Sequence, residues 1–411
     1  MKTNITETFL QTPRGEVANK ILRSCVHCGF CNATCPTYQL LGDELDGPRG
    51  RIYLIKQMLE GETPSRQTLL HLDRCLTCRN CESTCPSGVQ YSQLLDIGRA
   101  VANEKVSRPV LQKMQHLLLR KLFLSRKLFS LLLKTGQALR PILPASLKSS
   151  IPEKQKTLDF QKTAHTSKVL LIPGCVQPLL KANIDIAARI VFDKFGIECI
   201  EPTSTRCCGS LSHHLNAEDE ALAIIRNNID HWLPLIEQYG IEAICMTASG
   251  CGVAIKEYEQ LLAFDKRYAD KARTISALYK DPAEIIRDAI NADRQSLQQF
   301  KERNMSEKQQ TISFHPPCTL QHGMRIKRMI EPILENCGFT LQPFKDSHLC
   351  CGSAGTYSIT QKALSQQLLS NKLGNINKNE PDIIATANIG CQLHLQSGTS
   401  TPVKHWLELL L

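Results

Sequence analysis

The stretch that decides the fold is Cys25-Val26-His27-Cys28-Gly29-Phe30-Cys31-Asn32-Ala33-Thr34-Cys35-Pro36, and its spacing returns in residues 75–86. Each copy reads C-x2-C-x2-C-x3-C-P, the run that wraps a cubane [4Fe–4S] cluster in proteins with two such clusters. The first three thiolates of each run hold one cluster, and the fourth ligates the other. The spacing therefore predicts one cluster held by Cys25, Cys28, Cys31 and Cys85, and a second held by Cys75, Cys78, Cys81 and Cys35.

Structural zinc and disulfides are the competing uses for cysteines in this pattern. Zinc sites also use CxxC pairs, but two runs of four cysteines that both end in Cys-Pro fit iron–sulfur clusters better. Disulfides need an oxidising compartment. The opening from Met1 to Glu7 is polar and lacks the pattern of a secretory leader. We therefore expect a cytoplasmic protein whose 19 cysteines are mainly reduced metal ligands.

The net charge of +10 is concentrated in one segment. Residues 105–168 hold 14 Lys and Arg against two acids, mixed with Leu and Phe. The pattern predicts helix to about Ala138, where Pro141, Pro144 and Pro152 begin a linker. A helical hairpin packed on its own protein and a surface docked on anionic lipid or an acidic partner remain open. No run reaches the roughly 18 apolar residues of a membrane span, and no nucleic-acid recognition motif accompanies the charge.

Residues 168–411 contain an internal repeat. Cys175 matches Cys318, Cys207-Cys208-Gly209 matches Cys350-Cys351-Gly352, and Cys251 matches Cys391. Strands alternating with helices predict a parallel sheet in each repeat. Every repeat cysteine then follows the carboxyl end of a strand, where open α/β sheets bind ligands. The predicted strands are Lys168–Ile172, Ile197–Ile200, Glu242–Met246, Thr311–Phe314, Phe339–Gln342 and Asp382–Thr386.

The repeats offer a second system of thiols that can hold an iron–sulfur cluster or a zinc ion. Neighbouring cysteines in sequence do not easily form a disulfide with each other, which favours metal, and the alternative is reduced thiols at a partner interface. Cys199 and Cys245 lie in strand patterns and are expected in the core, while Cys337 has no repeat counterpart. The candidate ligands are Cys175, Cys207, Cys208 and Cys251, then Cys318, Cys350, Cys351 and Cys391; His213, His214, His315, His322 and His348 lie near them.

The sequence around these thiols resembles the CCG domain of heterodisulfide reductase subunits. That pattern ends in CxxC, and here Ala248 and Asn388 occupy the first cysteine position of the pair. The whole chain resembles the iron–sulfur subunits of redox complexes, and most of all the bacterial glycolate oxidase iron–sulfur subunits. The segments that carry this resemblance are residues 25–31, 34–38, 42–53, 73–81, 347–357 and 386–391.

The resemblance implies an electron-transfer subunit. Flavin-bearing partner subunits would oxidise glycolate to glyoxylate, and this chain, without flavin of its own, would pass electrons toward a quinone or another acceptor at the cytoplasmic face of the inner membrane. No motif supplies a general base, so we expect no oxidation of glycolate by this chain alone. The alternatives are a subunit of a lactate or glycerol-3-phosphate dehydrogenase complex, and a thiol–disulfide enzyme like heterodisulfide reductase.

The predicted fold class is multidomain, α+β with α/β repeats. A mainly helical two-cluster ferredoxin-type module is expected over residues 15–100, followed by a basic helical segment and linker over 101–165. Two tandem α/β cysteine-rich repeats of the CCG type then span residues 166–305 and 306–411. The cofactors expected are two [4Fe–4S] clusters, with a further iron–sulfur or zinc centre in the repeats.

Overall fold

The computed structural model describes residues 1–142, 144, 151–203, 207–292 and 310–411. These residues form a helical module, a pair of basic helices and two α/β repeats, each with a parallel sheet. The predicted fold class is confirmed. The repeat boundary predicted between residues 305 and 306 lies outside the described residues. Within the described ranges, no helix combines the length and the apolar character that crossing a bilayer requires.

The amino-terminal module consists of helices that hold the two cysteine runs between them. Its helices are α1 (Glu7–Leu10), α2 (Pro13–Ser24), α3 (Phe30–Ala33), α4 (Pro36–Leu41), α5 (Pro48–Leu59), α6 (Arg66–Asp73), α7 (Asn80–Thr84) and α8 (Tyr91–Lys105), with a 3-10 turn at Glu44–Asp46. Helices α2, α5, α6 and α8 bury a common core that includes Leu22, Ile55, Leu72 and Leu94. This core fixes the ends of the helices, and so the cysteines beside them.

Two helices follow the module and leave most of their apolar side chains uncovered. They are α9 (Val110–Leu124) and α10 (Arg126–Leu139), followed by a 3-10 turn at Arg140–Ile142. The rings of Phe123 and Phe129 meet at 5.3 Å between centroids, so the helices pack against each other. Leu119 is the one buried residue that the described chain provides in α9 and α10. The predicted helical segment is therefore present, but little of it joins the protein's own core.

Each repeat is an α/β unit with a parallel sheet. The strands are β1 (Ser167–Leu171), β2 (Ile197–Ile200), β3 (Ala243–Cys245), β4 (Thr311–His315), β5 (Thr340–Leu341), β6 (Ile383–Thr386) and β7 (Val403–His405). Their order is β2-β1-β3 in the first sheet and β5-β4-β6-β7 in the second, with every pair parallel. The sequence analysis did not anticipate β7, and β5 is two residues shorter than predicted.

Helices cover the two sheets and connect their strands. In the first repeat they are α11 (Gln177–Leu180), α12 (Asn183–Lys194), α13 (Ser210–His214), α14 (Glu218–Tyr239), α15 (Ser249–Lys256), α16 (Tyr258–Leu261), α17 (Ala269–Leu278) and α18 (Pro282–Ala292). In the second they are a π-helix at Thr319–Gly323, α19 (Ile330–Asn336), α20 (Tyr357–Thr360), α21 (Lys362–Ile376), α22 (Ile389–Gln396) and 3-10 turns at Asn377–Asn379 and Trp406–Leu410. Because the strands are parallel, the loops that carry cysteines leave each sheet at the same edge.

The two repeats share one hydrophobic core and face each other. Helix α12 of the first repeat packs on the 3-10 turn that ends the second, and Phe192 and Trp406 belong to the same buried cluster. His405 Nε2 donates to the carbonyl oxygen of Thr247 at 3.0 Å. The hydroxyls of Ser249 and Thr319 lie 2.8 Å apart. These contacts bring the cysteine-bearing edges of the two sheets together.

A buried ion network fixes the loop that carries Cys35. The Asp46 carboxylate is fully buried and lies 2.8 Å from Arg74 Nη1, 3.1 Å from His71 Nδ1 and 3.4 Å from Arg51 Nη2. Its backbone oxygen accepts from Thr37 Oγ1 at 2.7 Å. The guanidinium of Arg51 is also buried, so the carboxylate and the cation each depend on the other for compensation.

Replacing this carboxylate should destabilise the helical module strongly. Asp46→Asn leaves the Arg51 cation buried without its anion, a change that costs about 3–5 kcal/mol. We expect a lower first unfolding transition of the anaerobic protein and earlier loss of cluster absorbance on heating. Glu62→Gln is the matched control, since Glu62 is exposed in the same module and such surface changes stay within about 0.5 kcal/mol. Equal shifts for both variants would contradict the assigned role of Asp46.

Candidate iron–sulfur sites

The first predicted ligand set converges at the outer side of the helical module. Cys25, Cys28, Cys31 and Cys85 line one cavity, although Cys85 comes from the other sequence run. Cys25 is buried and Cys28 is exposed, so the cavity reaches the surface. We call these four cysteines the outer set.

The second predicted set converges deeper in the module. Cys35, Cys75, Cys78 and Cys81 line a neighbouring cavity, with Cys35 contributed by the first run. We call these four cysteines the inner set. Pro48, Tyr91 and Cys81 line both cavities and form the wall between them. Crossed ligation remains a prediction. It requires each cavity to take its fourth cysteine from the other run, and both cavities do so.

The donor chemistry of both cavities fits a metal cluster. Burial, and then the charge of Cys25, raise the pKa of the Cys31 thiol to about 11. Burial and neighbouring cysteines raise the pKa values of Cys78 and Cys81 well above the usual range. Thiols so close together cannot all ionise without a compensating cation, and iron supplies that charge. The hydroxyl of Tyr91 donates to Cys75 Sγ at 3.7 Å, a hydrogen bond of the kind that tunes cluster thiolates.

The repeat cysteines also form two groups, one at the edge of each sheet. In the first repeat, Cys207 and Cys208 are buried together, with Cys175 and Cys251 packed against them. Hydrogen bonding from Cys175 lowers the pKa of Cys207, and hydrogen bonding to Cys207 raises that of Cys208. Hydrogen bonds therefore link the thiols in the order Cys175, Cys207, Cys208 and Cys251. The ligands of one metal centre must lie this close together.

The second repeat forms the corresponding group. Cys318 Sγ and Cys350 Sγ are 4.0 Å apart. Hydrogen bonding from Cys318 lowers the pKa of Cys350, while hydrogen bonds to Cys350 and Cys391 raise that of Cys351. Asn388, which stands where the CCG pattern has a cysteine, donates from Nδ2 to Cys391 Sγ at 3.8 Å. The missing thiol is thus replaced by a hydrogen-bond donor to the thiol that remains.

Glycine follows each cysteine pair because of the backbone conformation there. Gly209 has φ +91° and Gly352 has φ +93°, a region that side chains disfavour. A Cβ on Gly352 would lie 2.6 Å from the carbonyl oxygen of Ser365. The turn also directs the Gly352 N–H at Cys350 Sγ, at 3.4 Å. The glycine at the third position of the CCG motif is therefore required by the backbone turn that shapes the site.

The neighbouring histidines divide into distinct roles. His213 Nε2 lies 3.2 Å from Asp96 of the helical module, and this contact ties the module to the first repeat. His214 lines a cavity together with Cys207 and Cys208. His322 contacts Ser83 through Nδ1 and donates from Nε2 to the His348 carbonyl oxygen. Of the five, only His315 has a ring nitrogen that lies within 4.8 Å of two cysteine sulfurs, those of Cys351 and Cys391.

A cavity of about 330 Å³ joins the inner set to both repeats. It is lined by Cys78 and by cysteines of both repeats, including Cys208 and Cys350. Cys78 and Cys350 also belong to one small buried cluster with Leu76 and Tyr357. The second repeat therefore lies directly against the inner set. Sequence reasoning did not anticipate this contact, because it joins segments that are far apart in the chain.

Other cysteines stay outside these groups. Cys245 is fully buried in the hydrophobic core and Cys199 packs against that core, as expected for strand residues. Cys337 is also fully buried in the same core. Two charged residues that sequence reasoning passed over lie close to thiols: Arg51 lines the cavity of the inner set, and Lys372 is buried beside the second repeat's cysteines. Both sit where positive charge offsets thiolates.

Comparisons with known proteins agree with this architecture. The model of the 4Fe-4S dicluster domain matches residues 21–89, and that of the cysteine-rich domain matches residues 169–256 and 312–396. The chain is 48% identical to the glycolate oxidase iron-sulfur subunit of Escherichia coli over 417 aligned residues, which cover 100% of this chain and 98% of the relative. It belongs to the family of glycolate oxidase iron–sulfur subunits. Iron–sulfur clusters are therefore its cofactors.

More distant relatives fit the same family. The probable glycolate oxidase iron-sulfur subunit of Bacillus subtilis is 26% identical, with 92% of this chain and 89% of the relative covered. The lactate utilization protein A of a Geobacillus strain is 22% identical over 59% of this chain and 98% of its own length. The glycolate oxidase relatives thus span nearly the whole chain, whereas the lactate relative matches only part of it.

Crossed ligation makes a distinctive prediction for this family member. Cys25→Ser and Cys85→Ser should each remove the outer cluster, about four of eight irons, and should give the same remaining electron paramagnetic resonance spectrum. Cys75→Ser and Cys35→Ser should share a different spectrum. Both kinds of change should also weaken the neighbouring cluster, because the ligands link the two runs and metal binding is coupled to folding.

The measurement is iron per chain with spectroscopy on anaerobically purified protein. Cys199→Ser is the control, since Cys199 is partly buried against the core of the first repeat, outside both sets. Crossed ligation fails if Cys85→Ser resembles Cys75→Ser. Intact protein that contains only zinc would contradict both clusters.

Proposed function

We propose that this chain is the electron-transfer subunit of a glycolate oxidase complex. It takes electrons from flavin-bearing partner subunits that oxidise glycolate to glyoxylate, and delivers them toward a quinone or another acceptor. The observation that carries the proposal is the order of the thiol groups. The outer set reaches the surface at Cys28, the inner set lies behind it, and Cys350 of the second repeat packs against Cys78 of the inner set.

The surface around the outer set suits a docked partner. Val26 is 67% exposed and Phe30 64%, and both line the cavity of the outer set with the exposed Cys28. Tyr53, 45% exposed, stacks on His27, the residue before Cys28. Exposed apolar side chains grouped in this way mark interaction sites. A flavin-bearing subunit docked here would bring its cofactor close to the outer set, and the contact would exclude water from the exposed thiol.

Residues of the chain prepare the interior for charge transfer. The iron–sulfur clusters supply one-electron redox chemistry when bound. The buried Arg51 guanidinium lines the inner cavity and stabilises the negative charge of the thiolates. Tyr91 separates the two cavities and donates a hydrogen bond to Cys75. The Asp46 network in turn holds Arg51 in place. We further propose that each repeat uses its four cysteines to hold a metal centre that continues this path.

The division of labour between subunits gives a direct test. A complex without this chain should keep its flavin and still reduce that flavin with glycolate, but it should lose glycolate oxidation coupled to the physiological acceptor. The isolated chain should show no activity on glycolate. Stopped-flow flavin absorbance and acceptor reduction measure the two steps separately. Stoichiometric flavin on this chain alone would overturn the proposal.

A matched pair of variants tests the docking surface. Phe30→Asp should weaken association with the flavin-bearing subunits and slow acceptor reduction, because it places a charge in the apolar contact. Phe264→Asp is the control, since Phe264 is 60% exposed on the first repeat, away from the outer set. Equal effects of the two variants would remove the surface around Cys28 as the site of partner docking.

We also propose that α9 and α10 hold the protein on an anionic membrane. The two helices and the turn after them expose apolar residues beside basic ones, the pattern of an interfacial helix. The exposed apolar residues are Val110, Leu111, Met114, Leu117, Leu118, Leu128, Leu131, Leu132, Leu139 and Ile142. Lys113, Lys121, Arg126, Lys127 and Lys134 are exposed as well. Arg120 and Arg140 pair with Glu220 and Glu153.

Vesicle binding tests this surface. Each basic residue near an anionic leaflet contributes about 1 kcal/mol, so replacing Lys121, Lys127 and Lys134 with Gln should weaken binding to vesicles of anionic lipid by about two orders of magnitude. Binding should also fall as salt rises. Lys266, Lys362 and Lys378, exposed elsewhere, provide a control triple with the same charge change. Equal binding to neutral and anionic vesicles would favour a partner subunit as the occupant.

A further inference from the structure

The second repeat contains a buried histidine whose ring nitrogens have no hydrogen-bond partner. His315 ends β4 and is 1% exposed, and neither Nδ1 nor Nε2 is hydrogen-bonded. Among the buried histidines of the described residues, it alone leaves both ring nitrogens unpaired. A buried polar group without a partner costs about 1–3 kcal/mol, and in a native protein it calls for an explanation such as a bound ion.

The position of His315 supplies that explanation. One of its ring nitrogens, Cys351 Sγ and Cys391 Sγ lie within 4.8 Å of one another. Metal bonds of about 2.0–2.3 Å to imidazole nitrogen and thiolate sulfur bring such ligands to comparable or slightly shorter separations. Thiolates with imidazole are a donor set for zinc and for iron–sulfur centres. Thr386, the register partner of His315 on β6, also has a buried hydroxyl without a hydrogen-bond partner.

The first repeat does not share this donor. Three residues before its first cysteine stands Ile172, where the second repeat has His315 before Cys318. Three residues before the last cysteine, Ala248 in the first repeat corresponds to Asn388, which donates to Cys391. The cysteines match between repeats, but at these two positions the first repeat has apolar residues and the second has polar ones. The second repeat therefore offers donors that the first repeat lacks.

A buried cation also distinguishes the second site. Lys372 is 3% exposed, and its Nζ donates to the carbonyl oxygens of Asp346 at 2.6 Å and Ser347 at 3.3 Å. Its charge interacts with Cys350 and Cys351. The Lys372 ammonium therefore offsets the negative charge of the thiolates without taking a ligand position. The imidazole of His315 remains available to bind metal.

We infer that the second repeat binds a transition metal through His315 together with Cys351 and Cys391, with Cys318 and Cys350 completing the donor set, while the first repeat binds through cysteines alone. The inference rests on the proposal that the repeats hold metal centres. The imidazole binds metal in its neutral form, so it adds a donor to the four cysteines of the second site without adding negative charge. The metal is iron, as part of a cluster, or zinc.

The experiment uses the intact complex, purified anaerobically. Iron and zinc per chain are measured together with nitrogen hyperfine coupling in pulsed electron paramagnetic resonance, and zinc, where present, is examined by X-ray absorption for its nitrogen and sulfur ligands. We expect metal beyond the eight irons of the two cubane clusters and a directly bound imidazole nitrogen. His315→Ala should abolish the nitrogen signal and make loss of this metal to a chelator at least about tenfold faster.

Three further variants separate a ligand from a structural role. His315→Cys should keep the metal and lose the nitrogen signal, since a thiolate replaces the imidazole. Cys351→Ala should lower the same metal content. His322→Ala is the control, because His322 is buried nearby with both ring nitrogens hydrogen-bonded, and it should keep metal and nitrogen signal.

Two outcomes would overturn the inference, and they are distinguishable. An unchanged nitrogen signal and metal content in His315→Ala would show that His315 is no ligand, while the metal centre of the repeat remained. A wild-type complex with no metal beyond the two cubane clusters would remove the centre itself, while electron transfer through the helical module remained.

Discussion

The rest of this structure depends on the repulsion between thiolates that are buried side by side. Each cysteine group places several sulfurs within reach of one another, and burial removes the water that would solvate their charge. The raised pKa values of Cys31, Cys78 and Cys208 express that cost. Bound metal offsets most of this cost, and the fixed cations of Arg51 and Lys372 offset part of the remaining negative charge. Folding and metal loading are therefore coupled in this chain.

The helical module and the repeats bring their cysteines together through different secondary structure. The helical module uses short loops between helices, and Cys85 and Cys35 each line the cavity of the other run. The repeats instead use parallel strands, whose carboxyl ends bring Cys175, Cys207 and Cys251 to one edge although they are far apart in sequence. Because the repeats share a core through Trp406 and Phe192, their two edges meet at one cavity against the inner set.

Much of this arrangement could be predicted from the sequence, because it is encoded in local patterns. The spacing of the two runs predicts the groups that line the two module cavities, and alternating strands and helices predict the parallel sheets. The strand β2 has the bounds that were predicted, Ile197–Ile200. The strand β7 was not predicted because it has only three residues, too few to show an alternating pattern. His315 appeared only as a neighbour of cysteines, since its unpaired nitrogens depend on burial by distant segments. The sequence left open whether the apolar residues of α9 and α10 pack on the protein or dock elsewhere, and the tertiary structure leaves most of them exposed.

The depth of each thiol group also sets the order in which air damages the protein. Oxidants and chelators approach from solvent, and susceptibility to them follows exposure. Cys28 meets solvent, whereas Cys78 and Cys350 lie beneath the module and the second repeat. Damage therefore proceeds from the outside inward, and a partly bleached sample retains its innermost metal. If the electron donor docks at the outer set, as proposed, such a sample has lost its connection to that donor, and its remaining colour overstates its working fraction.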